Sequence, residues 1–326
     1  MLTVSETRDL LGIVVPVHFP EEVPGATISA ILERSFAGQD LFCRRDGVVA
    51  VVDENSAAHR VLTSAPRDSA FHGLKLEVLA RNRGKAGAVA AGLRRLLRDT
   101  DRPWLATRDC DGDHLFEDLP RMASLAEQMS GEAGGDQIAV FGARPSWMKP
   151  MGWIREEWER LVNLVSVDLT TFLLARQNRT LDRRFWNGYP LDLQAGYRLY
   201  NRSAAQTAVE CLAETPDDPN VYLMACEILP FPEISLHGGK IGQVQVSTRI
   251  GQPVSSYAGL PFGRLYGSLL AWLARRHNVD PDLAVAIFDN HLLDAPAYHS
   301  SARPQLLECR AVLNPQAPPP IGPGVL

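Results

Sequence analysis

Residues 103–114 read PWLATRDCDGDH and carry the pattern that decides the fold. The first five residues are short and mostly apolar, which predicts a buried strand. Three carboxylates then follow at alternate positions, Asp109, Asp111 and Asp113. In extended backbone, alternate side chains point to the same side. The stretch therefore predicts a strand whose carboxyl end presents an acidic cluster.

Apolar runs and helical patterns alternate on both sides of this stretch. Strands are predicted at 11–17, 47–52, 74–79, 103–107 and 137–142, and helices at 27–37, 84–97 and 119–129. Such alternation is typical of a doubly wound α/β sheet, which binds ligands at the carboxyl ends of its strands. No GxGxxG follows the first strand, which argues against a dinucleotide site.

The pattern changes after residue 144. Long helices are predicted at 153–176 and 262–277, and further strands at 191–200 and 241–248. Residues 314–326 are rich in proline and glycine and have little to bury, so we expect this tail to be disordered.

Composition excludes several classes of protein. The formal net charge of −5 gives no global basic field for nucleic acid. The five cysteines are odd in number and form no CxxC pair, which argues against a disulfide framework and fits a reducing cytoplasm, the expected location. The apolar runs fall short of the roughly 20 residues that a membrane-spanning helix requires. We therefore expect no integral membrane segment.

The acidic cluster suits a metal ion. Crowded carboxylates repel one another unless a cation neutralises them, and magnesium or manganese prefers such oxygen ligands. A metal held by Asp109 and Asp111 would bridge a nucleotide diphosphate. The D-x-D pattern alone fits equally well an acidic turn that caps the helix beginning near Asp118.

Seven segments in register extend this interpretation. They read IVVPVHFPEE at 13–22, VVDENS at 51–56, RNRGKAGAVAAGL at 81–93, DCDGDHLFEDLP at 109–120, FGAR at 141–144, LDLQAGYRLYNR at 191–202 and GGKIGQVQVSTRIGQPVSS at 238–256. Together they resemble glycosyltransferase family 2, most closely its dolichol- and polyprenyl-phosphate mannosyl- or glucosyltransferase branch.

The resemblance implies a GT-A fold, a Rossmann-like, doubly wound and mostly parallel sheet, in a domain at 1–258. The chain beyond it has no counterpart in the resemblance, and its pattern and composition predict a helical C-terminal extension at 259–313 and the disordered tail at 314–326. The implied reaction is metal-dependent, inverting transfer of a hexose from a GDP- or UDP-linked donor. The acceptor stays open between a polyprenyl phosphate and a phosphorylated or other soluble molecule.

The resemblance also implies roles for individual residues. Pro16, Val17, Glu21 and Asp53 match the nucleoside pocket, Arg81 and Lys85 flank the pocket and the diphosphate, and Asp109 and Asp111 match the metal-binding D-x-D. Asp113 stands where the branch has glutamine and is a third candidate metal ligand, or else a solvent-facing turn residue.

On the acceptor side, Arg144 and Arg249 match arginines that meet the acceptor phosphate, although surface ion pairs would also explain them. Asp192 is a candidate base, sugar-binding group or structural anchor, because a phosphate acceptor needs no base. Glu227 is a weaker candidate that a buried pairing on a helix would explain. For His114 we expect a hydrogen bond to a neighbouring carboxylate.

Two features separate this chain from its relatives or favour other functions. Relatives in the branch often carry membrane-spanning helices, whereas here only the apolar face of the helix at 262–277 offers peripheral membrane contact, and core packing explains it as well.

The alternatives to a glycosyltransferase are a nucleotidylyltransferase and a non-catalytic nucleotide-binding protein. The first usually has a Gly-rich basic stretch after strand one, where this chain has His18-Phe19-Pro20.

Overall fold

The computed structural model describes residues 2–131, 136–149, 152–188, 190–249, 260–318 and 320. Within these ranges seven strands form one sheet, in the order β3-β2-β1-β4-β6-β5-β7. The strands are β1 Leu11–Val17, β2 Val48–Asp53, β3 Lys75–Leu79, β4 Trp104–Thr107, β5 Ile138–Ala143, β6 Arg198–Asn201 and β7 Lys240–Gln245. All neighbouring pairs are parallel except those of β6, which runs antiparallel to β4 and β5.

The helices fill both faces of this sheet. They are α1 Val4–Leu10, α2 Gly25–Phe36, α3 Gln39–Phe42, α4 Ser56–Thr63, α5 Gly84–Asp99, α6 Leu119–Ser130, α7 Trp153–Arg176, α8 Arg202–Ala213, α9 Pro219–Ile228, α10 Pro230–Leu236, α11 Phe262–Arg276, α12 Pro281–Leu292 and α13 Arg303–Leu313. One buried apolar cluster joins the sheet to α5 and to α7–α13, and a second joins the opposite face to α2 and α6.

The strand order reverses at β1, which pairs with β2 on one side and with β4 on the other. In open α/β sheets such a switch point leaves a crevice outside the carboxyl ends of the strands, and ligands bind there. The residues that follow β1 and β4 are therefore placed beside each other at one edge of the sheet.

Helix α5 packs unusually close to this part of the sheet. A Cβ built on Gly92 would lie 2.3 Å from Cγ1 of Val14 in β1 and 2.9 Å from Cγ2 of Val51 in β2. Glycine at this position therefore lets α5 approach both strands. The close packing fixes the first turn of α5, and with it Lys85, at the crevice.

The predicted fold class, α/β with a mostly parallel sheet, is confirmed, and β1 has the predicted bounds. The strand predicted at 191–200 is wrong over its first part, because only Arg198–Asn201 is strand. Before it the backbone bonds to side chains instead, as where the Asp192 amide donates to Oε1 of Gln243 at 2.7 Å. Likewise β7 ends at Gln245, and Thr248 beyond it forms an isolated bridge with His114.

The C-terminal helices share the core of the sheet. Leu265, Leu269 and Leu273 of α11 are buried in the same apolar cluster as Val14 and Val49. Core packing thus accounts for the apolar face of this helix, which is not available to a membrane. The predicted boundary at 258/259 lies outside the described residues, as do 319 and 321–326 of the predicted tail. No helix in the described part of the chain is long and apolar enough to cross a membrane.

Candidate active site

A cavity of about 390 Å³ opens at the carboxyl edge of β1 and β4. Among the predicted site residues, it is lined by Pro16, Val17, Asp53, Lys85, Asp109, Asp111, Asp113, Arg144 and Arg249. The structure therefore brings together side chains from segments that lie more than 200 positions apart in the chain. Their placement agrees with the implied site, and their individual roles remain predictions.

Three predicted site residues do not line the cavity. Glu21 is exposed in the turn after β1. Arg81 is 65 % exposed in its side chain and pairs with Asp217 at 2.9 Å. Asp192 is fully buried.

The acidic turn after β4 is held from several sides. Gly112 has φ of +76°, the left-handed conformation that glycine adopts without strain. The Asp113 amide donates to Oδ1 of Asp111 at 3.0 Å, and the Arg249 amide donates to the Asp113 carbonyl at 2.8 Å. Arg34 donates to the Asp111 carbonyl. These bonds fix the direction in which the turn enters the cavity.

The two carboxylates of the D-x-D pair differ in charge environment. Burial and then repulsion by Asp109 raise the pKa of Asp111. Burial also acts to raise the pKa of Asp109, but the Lys85 ammonium at 2.6 Å outweighs it, so this pKa is lowered. The pair therefore has one carboxylate already neutralised by a lysine and one that a further cation would stabilise.

Lys85 contacts a second carboxylate as well. Its Nζ lies 2.6 Å from Oε1 of Glu227, and the other oxygen of Glu227 accepts from Arg198 at 2.9 Å. Arg198 lies in β6, is 3 % exposed and also donates to the carbonyls of Leu193, Cys226 and Glu227. Glu227, which the sequence ranked low, is thus a buried, paired carboxylate on the wall of the cavity.

Asp109 packs directly on backbone from another segment. A Cβ built on Gly196 would lie 2.3 Å from Oδ2 and 2.6 Å from Cγ of Asp109. Only a residue without a side chain leaves the carboxylate where it is. Gly196 is the glycine of the D-x-x-x-G segment that starts at Asp192.

Cationic side chains also line the cavity. Arg144 follows β5 and donates two hydrogen bonds to the Asp192 carboxylate, from Nε at 2.9 Å and from one terminal nitrogen at 2.8 Å. The same terminal nitrogen is 2.6 Å from Oε2 of Glu159, whose other oxygen accepts from Arg155 at 2.7 Å. These buried carboxylates fix the guanidinium of Arg144 at the cavity, beside Arg155, the exposed Lys149 and Arg249.

Asp53 and His18 line the cavity near the start of α5. The Asp53 carboxylate accepts from the backbone amide of Arg83 at 2.8 Å, just before α5, and burial raises the pKa of Asp53. The His18 ring lies 3.0 Å from the Asp53 carbonyl oxygen. Asp53 therefore also supports the start of α5, the role that a helix cap would have.

Sequence reasoning passed over several residues of the lining, among them Lys149, Arg155, Gln194 and Gly196. The His114 ring packs 5.1 Å from the Tyr197 ring, and its Nδ1 has no hydrogen-bond partner, in place of the expected bond to a carboxylate. Burial lowers the pKa of His114 to about 4. The spacing of D-G-D-H at 111–114 could have placed the ring beside the acidic turn, but not its contact with Tyr197.

The mostly parallel α/β sheet and its edge cavity, lined by paired carboxylates and by cations, are those of a GT-A-like glycosyltransferase. A family model described as Glycosyl transferase family 2 matches residues 13–208, more than half of the chain. The chain belongs to glycosyl transferase family 2.

Solved structures similar to this chain include the following two. S. aureus TarS, residues 1–349, shares 10 % identity and a TM-score of 0.45, over 93 % of this chain and 79 % of that one. CMP:2-keto-3-deoxy-manno-octonic acid synthetase complexed with CTP shares 12 % identity and a TM-score of 0.37, over 74 % and 92 % of the two chains. No curated protein matches.

Proposed function

We propose that this glycosyltransferase moves a hexose, with inversion, from a GDP- or UDP-linked donor to a phosphorylated acceptor, of which a polyprenyl phosphate is the best fit. The observation that carries the proposal is that two kinds of charged group line one cavity. Paired carboxylates with Lys85 form one set, here called the donor half, and the cations Arg144, Lys149, Arg155 and Arg249 form the other, here called the acceptor half.

The donor half suits a nucleoside diphosphate with a divalent metal. No three His, Cys, Asp or Glu side chains in the described ranges gather to hold an ion. Two carboxylates are nevertheless the protein share that magnesium uses when substrate phosphates complete its shell. Asp109 and Asp111 fit that share, and the metal would neutralise the charge of the departing diphosphate. Asp113 has no necessary part in such a pair.

The remaining donor contacts come from the chain itself. Pro16 and Val17 at the end of β1 form the floor under the nucleoside, and Asp53 stands at its edge. Lys85, at the first turn of α5, is within reach of the diphosphate, and a helix N-terminus favours that negative charge. Lys85 thus stabilises the leaving group as the bond to the sugar breaks.

The acceptor half suits a phosphate. Its arginine forks match phosphate oxygens, and Asp192 and Glu159 pre-orient Arg144 for this contact. A phosphate oxygen is already a nucleophile, so the contacts of Asp192 support the role of anchor over that of base. Met148 and Trp153, 43 % and 45 % exposed, lie close in sequence to residues of this half and would meet an apolar acceptor chain.

A thermal-shift screen with UDP, GDP, CDP, dTDP and ADP, each with and without manganese, tests the donor half. One nucleotide should raise the midpoint in a metal-dependent way, because a ligand that binds the native state stabilises it. Product analysis with the matching sugar nucleotide and a polyprenyl phosphate then tests the reaction. Release of a nucleoside diphosphate supports transfer, whereas pyrophosphate released from a nucleoside triphosphate would support a nucleotidylyltransferase. No shift with any nucleotide would contradict the proposal.

A further inference from the structure

One lysine serves two carboxylates in the donor half. Lys85 Nζ lies 2.6 Å from Oδ1 of Asp109 and 2.6 Å from Oε1 of Glu227. The Lys85 side chain is 17 % exposed and the Glu227 side chain only 4 %. Since Asp109 is one of the two proposed metal ligands, the ammonium occupies a position from which it competes with a divalent cation for the same carboxylate.

Glu227 is the fixed member of this set. Its second oxygen accepts from Arg198 at 2.9 Å. Arg198 is itself held by three backbone carbonyls and by its place in β6 beside Thr107 and Phe141. Lys85, by contrast, is a flexible four-carbon side chain on the first turn of α5. When the charges around them change, the lysine can move and the glutamate cannot.

We propose that Glu227 is a positioning residue: it gives the Lys85 ammonium, which lies 2.6 Å from Asp109, a second carboxylate partner, and so sets the affinity of the Asp109–Asp111 pair for a divalent cation. The inference rests on the proposed function, because it assumes the metal site. A cation and an ammonium on one carboxylate repel each other strongly at these distances. Glu227 gives the lysine a second anchor when the cation binds, within reach of the diphosphate.

The two residues then have opposite effects on cation binding. Lys85→Met removes the competitor and leaves three carboxylates, so manganese should bind more tightly. Glu227→Gln removes the second anchor, so the ammonium is not drawn from Asp109 toward Glu227 when a cation approaches, and manganese should bind more weakly. If the two residues only maintained the shape of the cavity, both substitutions would weaken binding.

The experiment measures manganese binding to the purified full-length protein without nucleotide, by electron paramagnetic resonance of the free ion. We expect Lys85→Met to tighten binding by about tenfold and Glu227→Gln to weaken it by about tenfold, which corresponds to a modest change in a short-range charge interaction. Lys85→Met should at the same time weaken nucleotide binding in saturating manganese.

Matched controls separate the effect of the direct ion pairs on manganese binding from the effect of a change in the net charge of the protein. Arg98→Met makes the same charge change at the exposed end of α5, where Arg98 pairs with Asp99, and Glu210→Gln removes an exposed carboxylate of α8. Both should leave manganese binding unchanged. The double variant of Lys85 and Glu227 should show strong non-additivity, because Glu227 acts through the lysine.

Two results would overturn the inference. One is that Lys85→Met binds manganese no more tightly than the wild type, a result that needs no folded Glu227 variant. The other is that a folded Glu227→Gln binds as the wild type does. Asp111→Asn distinguishes failure of this inference from failure of the metal site. If manganese still binds to Asp111→Asn, the proposed metal site is refuted. If Asp111→Asn loses manganese binding while the Lys85 and Glu227 variants bind as the wild type does, only the role of Glu227 is refuted.

Discussion

At the scale of single residues, the acidic turn shows how a short motif is completed by distant parts of the chain. The spacing of Asp109 and Asp111 fits a metal site or a helix cap equally well, and the resemblance of the surrounding segments favours the metal site. Their environment depends on Lys85, which comes 24 positions before Asp109, and on Gly196, which comes 87 positions after it. The motif is local, and the geometry that gives it a function is not.

Asp111→Asn should abolish turnover and leave the fold intact. The substitution keeps the size of the side chain and removes the charge that the proposed metal needs, so activity should fall on the order of 100- to 1000-fold. Burial already raises the pKa of Asp111, so a neutral side chain costs the native state little. Circular dichroism and turnover of the same preparation check this. Activity within a few-fold of the wild type would show that Asp111 is no ligand.

Gly196→Ala should damage the site without unfolding the protein. The new Cβ would collide with the Asp109 carboxylate, the flexible end of a side chain, which must move. A displacement of about 1 Å at a reacting centre can cost on the order of 100-fold in rate. Steady-state kinetics and thermal denaturation, with Gly131→Ala as the control at an open position, test the prediction. Equal activity in Gly196→Ala would mean that the carboxylate is not used where it lies.

Arg144 and Lys149 line the same cavity but should respond differently. Arg144→Met leaves Asp192 buried without its arginine partner, although Glu159 keeps Arg155, and breaking such a buried pair costs roughly 3–5 kcal/mol of the free energy of unfolding. Lys149→Met removes an exposed cation, so stability should not change while KM for a phosphorylated acceptor rises. Denaturant unfolding and acceptor kinetics on both variants separate the two effects. A fully stable Arg144→Met would contradict the anchoring described above.

At the scale of elements, strands and helices followed from local pattern, while their pairing did not. Continuous apolar runs identified β1 and β2, which are buried at every position except the half-buried Pro16, because a parallel strand covered on both faces has no polar side. The prediction made β6 too long, because 191–197 is buried like a strand, whereas the Asp192 amide and the Leu193 carbonyl bond to the side chains of Gln243 and Arg198. Contacts such as Arg144–Asp192 and Lys85–Glu227 join residues 48 and 142 positions apart, and no spacing rule encodes them.

The tie between α10 and α11 predicts a pH dependence of stability. Burial acts to raise the pKa of Glu233, but hydrogen bonds from His277 and Arg276 outweigh it, and the pKa is lowered from 4.5. The stabilisation is therefore fully present above about pH 4.5 and is lost as the pH falls through the lower native-state value. Glu233→Gln should cost roughly 1–3 kcal/mol at neutral pH. Unfolding free energies of both proteins should converge in acid, and a constant difference would refute the linkage.

At the scale of the whole molecule, the C-terminal helices complete one of the two apolar clusters that flank the sheet. Because α11 contributes buried leucines to the cluster that also contains β1 and β2, removing residues 260–326 should expose that core. Each buried leucine contributes about 1.5–3 kcal/mol, so the shortened chain should lose cooperative unfolding. Removing only 321–326, which the composition predicts to be disordered, is the control. A shortened chain with a normal melting transition would show an independent catalytic domain.

The contact between Gly196 and Asp109 also has a consequence for the history of this lineage. As long as position 109 carries a carboxylate in its present place, mutation at position 196 is closed to every residue with a Cβ. The residues at positions 109 and 196 are therefore expected to be conserved together or to change together. Alanine or serine should appear at position 196 only in descendants that have lost the aspartate. A substitution of Gly196 would therefore mark a descendant in which the site is no longer used.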